Sequence, residues 1–145
     1  MRKNLCLIIA AILLMTAWPL YMSAKKIKYS DNIVYSGDVD GDGNPSGEGT
    51  LTTTYGKDKD ILTGMFQNGT VSNAYLRLQV FEKKYEFGTL RGDVDFKVSD
   101  DGKSVTYVLK GGTFTANGDK SFLVGPDKPN GQLTIVRTVK DGSCY

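Results

Sequence analysis

The feature that most constrains what this chain can fold into is its glycine spacing between Tyr35 and Gly69. The stretch reads YSGDVDGDGNPSGEGTLTTTYGKDKDILTGMFQNG, with a glycine every few residues among short runs of Val, Leu, Thr, Tyr and Phe. Glycine at that frequency suits tight turns between extended strands and little else, because its missing Cβ opens the positive-φ region that such turns use.

The rest of the chain carries the same signal. Strict apolar/polar alternation runs through Val94-Asp95-Phe96-Lys97-Val98, through Val105-Thr106-Tyr107-Val108-Leu109, and from Leu133 to Val139. A period of two places alternate side chains on opposite faces of a strand, so these runs predict a sheet with one buried and one wet face. Leu76, Leu78 and Val80 share a face in the same way, so 75–85 reads as strand although it is the one stretch with some helical character. Between the runs lie Asn68-Gly69, Asp101-Gly102, Asn117-Gly118, Asn130-Gly131 and Asp141-Gly142. Each pairs a residue tolerant of positive φ with glycine, which is hairpin-turn chemistry. The fold class expected is all-β, an antiparallel meander of hairpins, with a β-sandwich as the alternative.

A unit recurs within this pattern. An apolar–x–Gly–x–apolar core appears as Tyr35-Ser-Gly37-Asp-Val39, Leu62-Thr-Gly64-Met-Phe66 and Leu90-Arg-Gly92-Asp-Val94. A fourth copy, Lys110-Gly-Gly112-Thr-Phe114, lacks its first apolar member. A second signature, Gly47-Glu-Gly49-Thr-Leu51-Thr52, returns as Gly131-Gln-Leu133-Thr134. Successive key glycines stand 27, 28 and 20 residues apart. Such periods mark architectures in which one unit cannot bury its apolar face alone.

Tyr35-x-Gly37, then Gly47-x-Gly49-x-Leu51, then Leu62-x-Gly64-x-Phe66-x-Asn68-Gly69 resembles the membrane occupation and recognition nexus (MORN) repeat. The match is good over 35–69, partial over 107–145 and degenerate over 70–106. The His-Gly usual in that family's loop is replaced here by Ser46-Gly47 and Asn130-Gly131. The resemblance implies a diverged sheet of β-hairpins and a scaffolding role. The repeat glycines Gly37, Gly47, Gly49, Gly64, Gly92 and Gly112 would set the backbone, and the long segments 70–81 and 85–98 would fold over the concave face.

The N-terminus reads as an address. Arg2 and Lys3 precede the unbroken apolar run from Leu5 to Leu14, Pro19 breaks the segment, and Ser23-Ala24 offers small residues for cleavage. These are the parts of a secretory signal peptide, and the apolar run is short against the ~20 residues a span requires. The expected organisation is a signal peptide over 1–24, a polar leader over 25–32 and the repeat domain over 33–145. The product is then exported to the periplasm, cell envelope or medium. Removing 1–24 takes Arg2, Lys3, Cys6 and the single Trp18 from a chain of net charge +2, leaving a neutral protein with Cys144 as its one thiol. Neutrality argues against nucleic acid as a partner, and one cysteine cannot form an intrachain disulfide. The chain has no His, which removes the commonest general base and metal ligand.

Three patterns bear on chemistry. Asp38, Asp40 and Asp42, followed by Gly43, match the opening of an EF-hand loop, in which alternating carboxylates converge on calcium. Pro45 and Gly49 depart from that motif, so calcium is a weak expectation against that of a solvated hairpin loop. The aromatic set Tyr35, Tyr55, Phe66, Tyr75, Tyr107 and Phe114 would form either a binding face or, more simply, the packing face of a thin sheet. Arg91-Gly92-Asp93 matches an adhesion tripeptide, and Asn68-Gly69-Thr70 has the form of a glycosylation sequon; the repeat and the turn already account for both. No residue spacing singles out a catalytic pair. The expectation is a non-enzymatic interaction module without cofactor that binds a protein or membrane surface. The alternative is a small calcium- or carbohydrate-binding domain of the cell envelope.

Overall fold

The computed structural model describes residues 24–80, 85–116, 120–129 and 131–139. Those residues form nine strands: β1 Lys25–Lys28, β2 Ile33–Val39, β3 Pro45–Tyr55, β4 Asp58–Gln67, β5 Thr70–Val80, β6 Tyr85–Val98, β7 Ser104–Ala116, β8 Lys120–Val124 and β9 Leu133–Thr138. Strands β1 to β8 follow one another in a single antiparallel meander, and β9 returns to pair with β7. The architecture is therefore all-β and antiparallel, in one curled sheet. Because β6 lies along one edge of β7, β8 and β9 share the other, β8 against Gly112–Ala116 and β9 against Ser104–Leu109. They are two halves of one return strand, interrupted by a loop whose neck closes where the Gly125 N–H donates to the Gly131 carbonyl at 2.9 Å.

Register explains the recurring sequence unit. Tyr35, Leu51, Leu62, Leu76, Leu90 and Phe114 stand opposite one another in turn across β2 to β7, with Ile27 and Phe122 extending the row at its two ends. From Tyr35 to Leu90 every member of this row is fully buried. Two positions further along each strand, on the same face, runs a row of small residues. Gly37 pairs with Gly49 and Gly49 with Gly64; beyond a bulge, Ala74 pairs with Gly92 and Gly92 with Gly112. A third row, Phe66, Val71, Val94 and Leu109, follows two positions later on β4 and β6 and three positions away, across a bulge, on β5 and β7. The apolar–x–Gly–x–apolar unit is thus one strand's contribution to three parallel rows. The fourth copy's missing apolar member has a structural reason. A register shift between β6 and β7 skips Lys110, so Leu109 stands opposite Val94 and fills the row.

Two positions show most plainly why the small row needs glycine. A Cβ built on Gly49 would overlap the Tyr35 hydroxyl oxygen, Cε2 and Cζ, because that phenol lies directly on the glycine backbone. A Cβ on Gly92 would strike the Gly111 carbonyl oxygen of the neighbouring strand. With no side chains between them, the flanking rows meet: the Tyr35 and Phe66 rings make an edge contact at 4.9 Å, and Phe66 meets Phe96 at 5.3 Å.

The sheet curls until distant strands touch. The Thr53 hydroxyl on β3 lies 3.4 Å from that of Tyr107 on β7, and Arg137 on β9 reaches Asp60 on β4. The segments expected to fold over the concave face are instead the two middle strands of the meander, because their alternating residues complete the leucine row. The polar leader also joins the sheet. Lys25–Lys28 pairs along β2, with Ile27 packed against the core beside Tyr35 and the lysines left in solvent. The Asn68-Gly69 turn joins β4 to β5 with φ of 50° and 80°, as a two-residue type I′ hairpin requires. Asn117-Gly118, Asn130 and Asp141-Gly142 lie outside the described residues, as does the expected signal segment up to residue 23.

Gly92→Ala drives a methyl into backbone rather than a flexible side chain and is expected to cost about 2–4 kcal/mol, whereas Gly41→Ala, with open space around it, changes stability by under about 0.5 kcal/mol. Urea unfolding of the two variants checks both values.

Candidate functional site

The small-residue row has an outer side as well. On the face away from the core, the backbone at Gly37, Gly49 and Gly64 forms the floor of a groove of about 610 Å³. Ser36, Glu48, Thr50, Thr63, Met65 and Asn73 project around it from four consecutive strands. Period two dictates this set: each wall residue is a chain neighbour of a floor glycine, or sits across the bulge from one. Asn73 occupies that bulge between β4 and β5 with φ of 49°, a left-handed conformation uncommon outside glycine. Bulges re-aim side chains, and strain of this kind gathers at functional positions. Met65 is 45% exposed, one of two large apolar side chains among the described residues left so open to solvent. Glu48 is the one ionisable side chain in the lining.

A second polar cluster lies inside the curl. Arg137 grips Asp60 with two parallel bonds, Nε to Oδ2 at 2.8 Å and Nη2 to Oδ1 at 3.0 Å, and Nη2 also donates to the Gln79 carbonyl at 3.0 Å. The Gln79 N–H donates back to Asp60 at 3.3 Å. The Arg137 guanidinium stands 4.5 Å from the centre of the Tyr55 ring, and both members of the ion pair are wholly buried. Burial pushes the Asp60 carboxyl above the usual carboxylate range, with Arg137 pulling it back. Burial likewise pushes the Tyr55 phenol far up. Its hydroxyl has no hydrogen-bond partner of good geometry, although Asp60 is near enough to bear on its ionisation. The cluster faces the core with no opening of its own, so its work is to hold β9 against β4 and β5.

The acidic loop is held by hydrogen bonds of its own. Asp40 caps its own turn: its Oδ1 accepts the N–H groups of Asp42 and Asn44, both at 2.9 Å, while its backbone pairs with Asn44 and Gly43. The Asn44 N–H, foremost among these bonds, holds the Asp40 carboxyl below its ordinary value. The Tyr35 hydroxyl donates to the Asp38 carbonyl at 2.6 Å, fixing the start of the loop. Asp38, Asp40 and Asp42 are not brought together, and among the described residues no three acidic, His or Cys side chains converge as metal ligands.

Of the aromatic candidates, Tyr35, Tyr55, Phe66, Tyr107 and Phe114 are buried and so cannot form an external binding face. They occupy the inward positions of their strands. Tyr75 alone faces outward, half-buried, with the Arg91 guanidinium 5.1 Å from its ring centre. Arg91 and Asp93 point from the middle of β6 rather than from a loop tip, and the Thr70 hydroxyl of the sequon donates to Asp95 at 2.7 Å. Among the repeat glycines, Gly47 stands apart from the small-residue row and backs onto the Asp38 side chain.

Sequence reasoning missed Asp60, Arg137 and the groove walls. The first two carried a signal: Asp58, Asp60 and Leu62 share one parity, as do Ile135 and Arg137, so each charged residue stands in line with buried neighbours. Compared with known proteins, the chain matches no family model, no curated protein and no solved structure.

Removing one member of a buried ion pair strands the other. Arg137→Met is therefore expected to cost about 3–5 kcal/mol, and the double variant Asp60→Leu/Arg137→Met to recover most of that loss. Denaturant midpoints of wild type, single and double variants give the comparison.

Proposed function

We propose that this protein is a non-enzymatic, exported interaction module of MORN-like hairpins whose groove over the glycine floor takes a segment of a partner protein. The observation that carries the reading is the composition of the groove. Hydroxyls from Ser36, Thr50 and Thr63, the Asn73 amide and one carboxylate surround a floor of bare backbone, with the thioether of Met65 at the rim. Methionine adapts its shape to a partner's apolar side chain, and exposed methionine is over-used at binding surfaces. Glu48 favours a positive charge beside that apolar group. The segment that fits best therefore carries a Lys or Arg next to an aliphatic residue. The lining offers no nucleophile–base pair, so binding rather than turnover is the chemistry these residues suit.

Thr63→Trp fills the groove from its wall, and Glu48→Lys reverses its charge; both side chains face away from the core. Each is expected to weaken binding of the partner recovered from the envelope fraction by about tenfold or more, equivalent to ~1.4 kcal/mol. Thr106→Trp, outward on β7 and remote from the groove, leaves binding unchanged. Isothermal titration separates these outcomes, and equal affinity across all three variants refutes the assignment.

A further inference from the structure

We propose that β8 is an open edge that pairs with β8 of a second copy of this chain, extending the sheet across a two-fold axis. This rests on the ends of the meander and not on the groove. An unpaired edge strand is a template for another strand, and proteins blunt such edges with short length and with lysines. β1 is blunted in both ways: it has four residues, three of them Lys25, Lys26 and Lys28. β8 is not. Its sequence is Lys-Ser-Phe-Leu-Val, its one ladder partner among the described residues is β7, and Leu123 is 52% exposed. Phe122 packs on Phe114 with centroids 5.4 Å apart and is only half-buried, so among the described residues the core row ends there on a partly exposed ring.

Charge and symmetry select the occupant. Antiparallel pairing centred on Phe122 sets Phe122 opposite its copy, Ser121 opposite Leu123 and Lys120 opposite Val124. The aromatic row then continues through four rings, Phe114 and Phe122 from each chain. The two Lys120 residues fall at opposite ends, four residues or ~13 Å apart at about 3.3 Å per residue. That exceeds the screening length of ~8 Å at physiological salt. Head-to-tail addition onto β1 would instead bring Lys120 to a strand of three lysines. A closed pair with like surfaces facing each other is also the commonest oligomer symmetry. A five-residue edge is small by the standard of stable interfaces, so the association is weak and concentration-dependent.

Sedimentation equilibrium of the chain, as processed by an exporting host, is expected to show a monomer–dimer equilibrium as concentration rises to the millimolar range. Leu123→Lys, at an exposed position, should raise the dissociation constant about tenfold or more without changing the melting temperature. In a Cys6→Ser/Cys144→Ser background, Phe122→Cys should cross-link on mild oxidation, because directly opposed residues of an antiparallel pair lie within disulfide reach, ~4.5–5.5 Å between Cα atoms. Ser121→Cys in the same background should not. A monomer at every concentration overturns the proposal, as does a dimer that Leu123→Lys leaves intact and Phe122→Cys fails to cross-link. A monomer that instead takes up an extended peptide at β8 also overturns the self-pairing.

Discussion

One contact sets the terms for the rest of this fold: the ring of Tyr35 lying on the bare backbone of Gly49. A Cβ there would overlap the phenol, so the contact exists only because the strand presents glycine at that register position. The same substitution of backbone for side chain is repeated along the small-residue row, and it lets the two apolar rows on either side close over it. The Tyr35 hydroxyl, carried past Gly49, reaches the Asp38 carbonyl and fixes the mouth of the acidic loop. On the outer face, the same glycines are the floor of the groove. Core closure, loop anchoring and the candidate binding surface therefore share one physical cause.

Much of this was legible in the sequence, for a specific reason. Strand alternation is a local signal, and Val105-Thr106-Tyr107-Val108-Leu109 declares its faces without knowledge of its partners. The three-row pattern was legible too, as apolar–x–Gly–x–apolar, because a period of two keeps all three positions on one face. What stayed hidden depends on pairings that no local window contains. Asp60 and Arg137 are 77 residues apart, and although each shares its parity with buried neighbours, neither points to the other until β9 is laid across β4. The skipped Lys110 is a property of the register between β6 and β7. The strand at 25–28 is disguised by composition, since three lysines read as solvated leader while one isoleucine and the backbone do the pairing. The groove depends on the bulge at Asn73, whose place opposite Gly64 is set only when β4 and β5 pair.

The buried ion pair and the open edge mark opposite ends of the same return strand. Among the described residues β9 is a short strand with one ladder partner, and a bidentate Arg–carboxylate bond, a carbonyl contact and an aromatic face tie it down. Such a bond fixes geometry more than it adds stability, because desolvating two charges offsets much of their attraction. β8, the other half, shows no such anchor among the described residues and ends their core row on the partly exposed ring of Phe122.

The central claim, that an aromatic ring replaces the missing side chain at Gly49, has a direct spectroscopic signature. The inward α-proton of Gly49 points at the phenol end of the Tyr35 ring, whose ring current should displace its resonance from that of its partner on the same carbon. That displacement should vanish in Tyr35→Leu while the cross-strand contacts between Leu51 and Leu62 persist. Equivalent α-protons at ordinary glycine shifts in the wild-type protein would contradict the account.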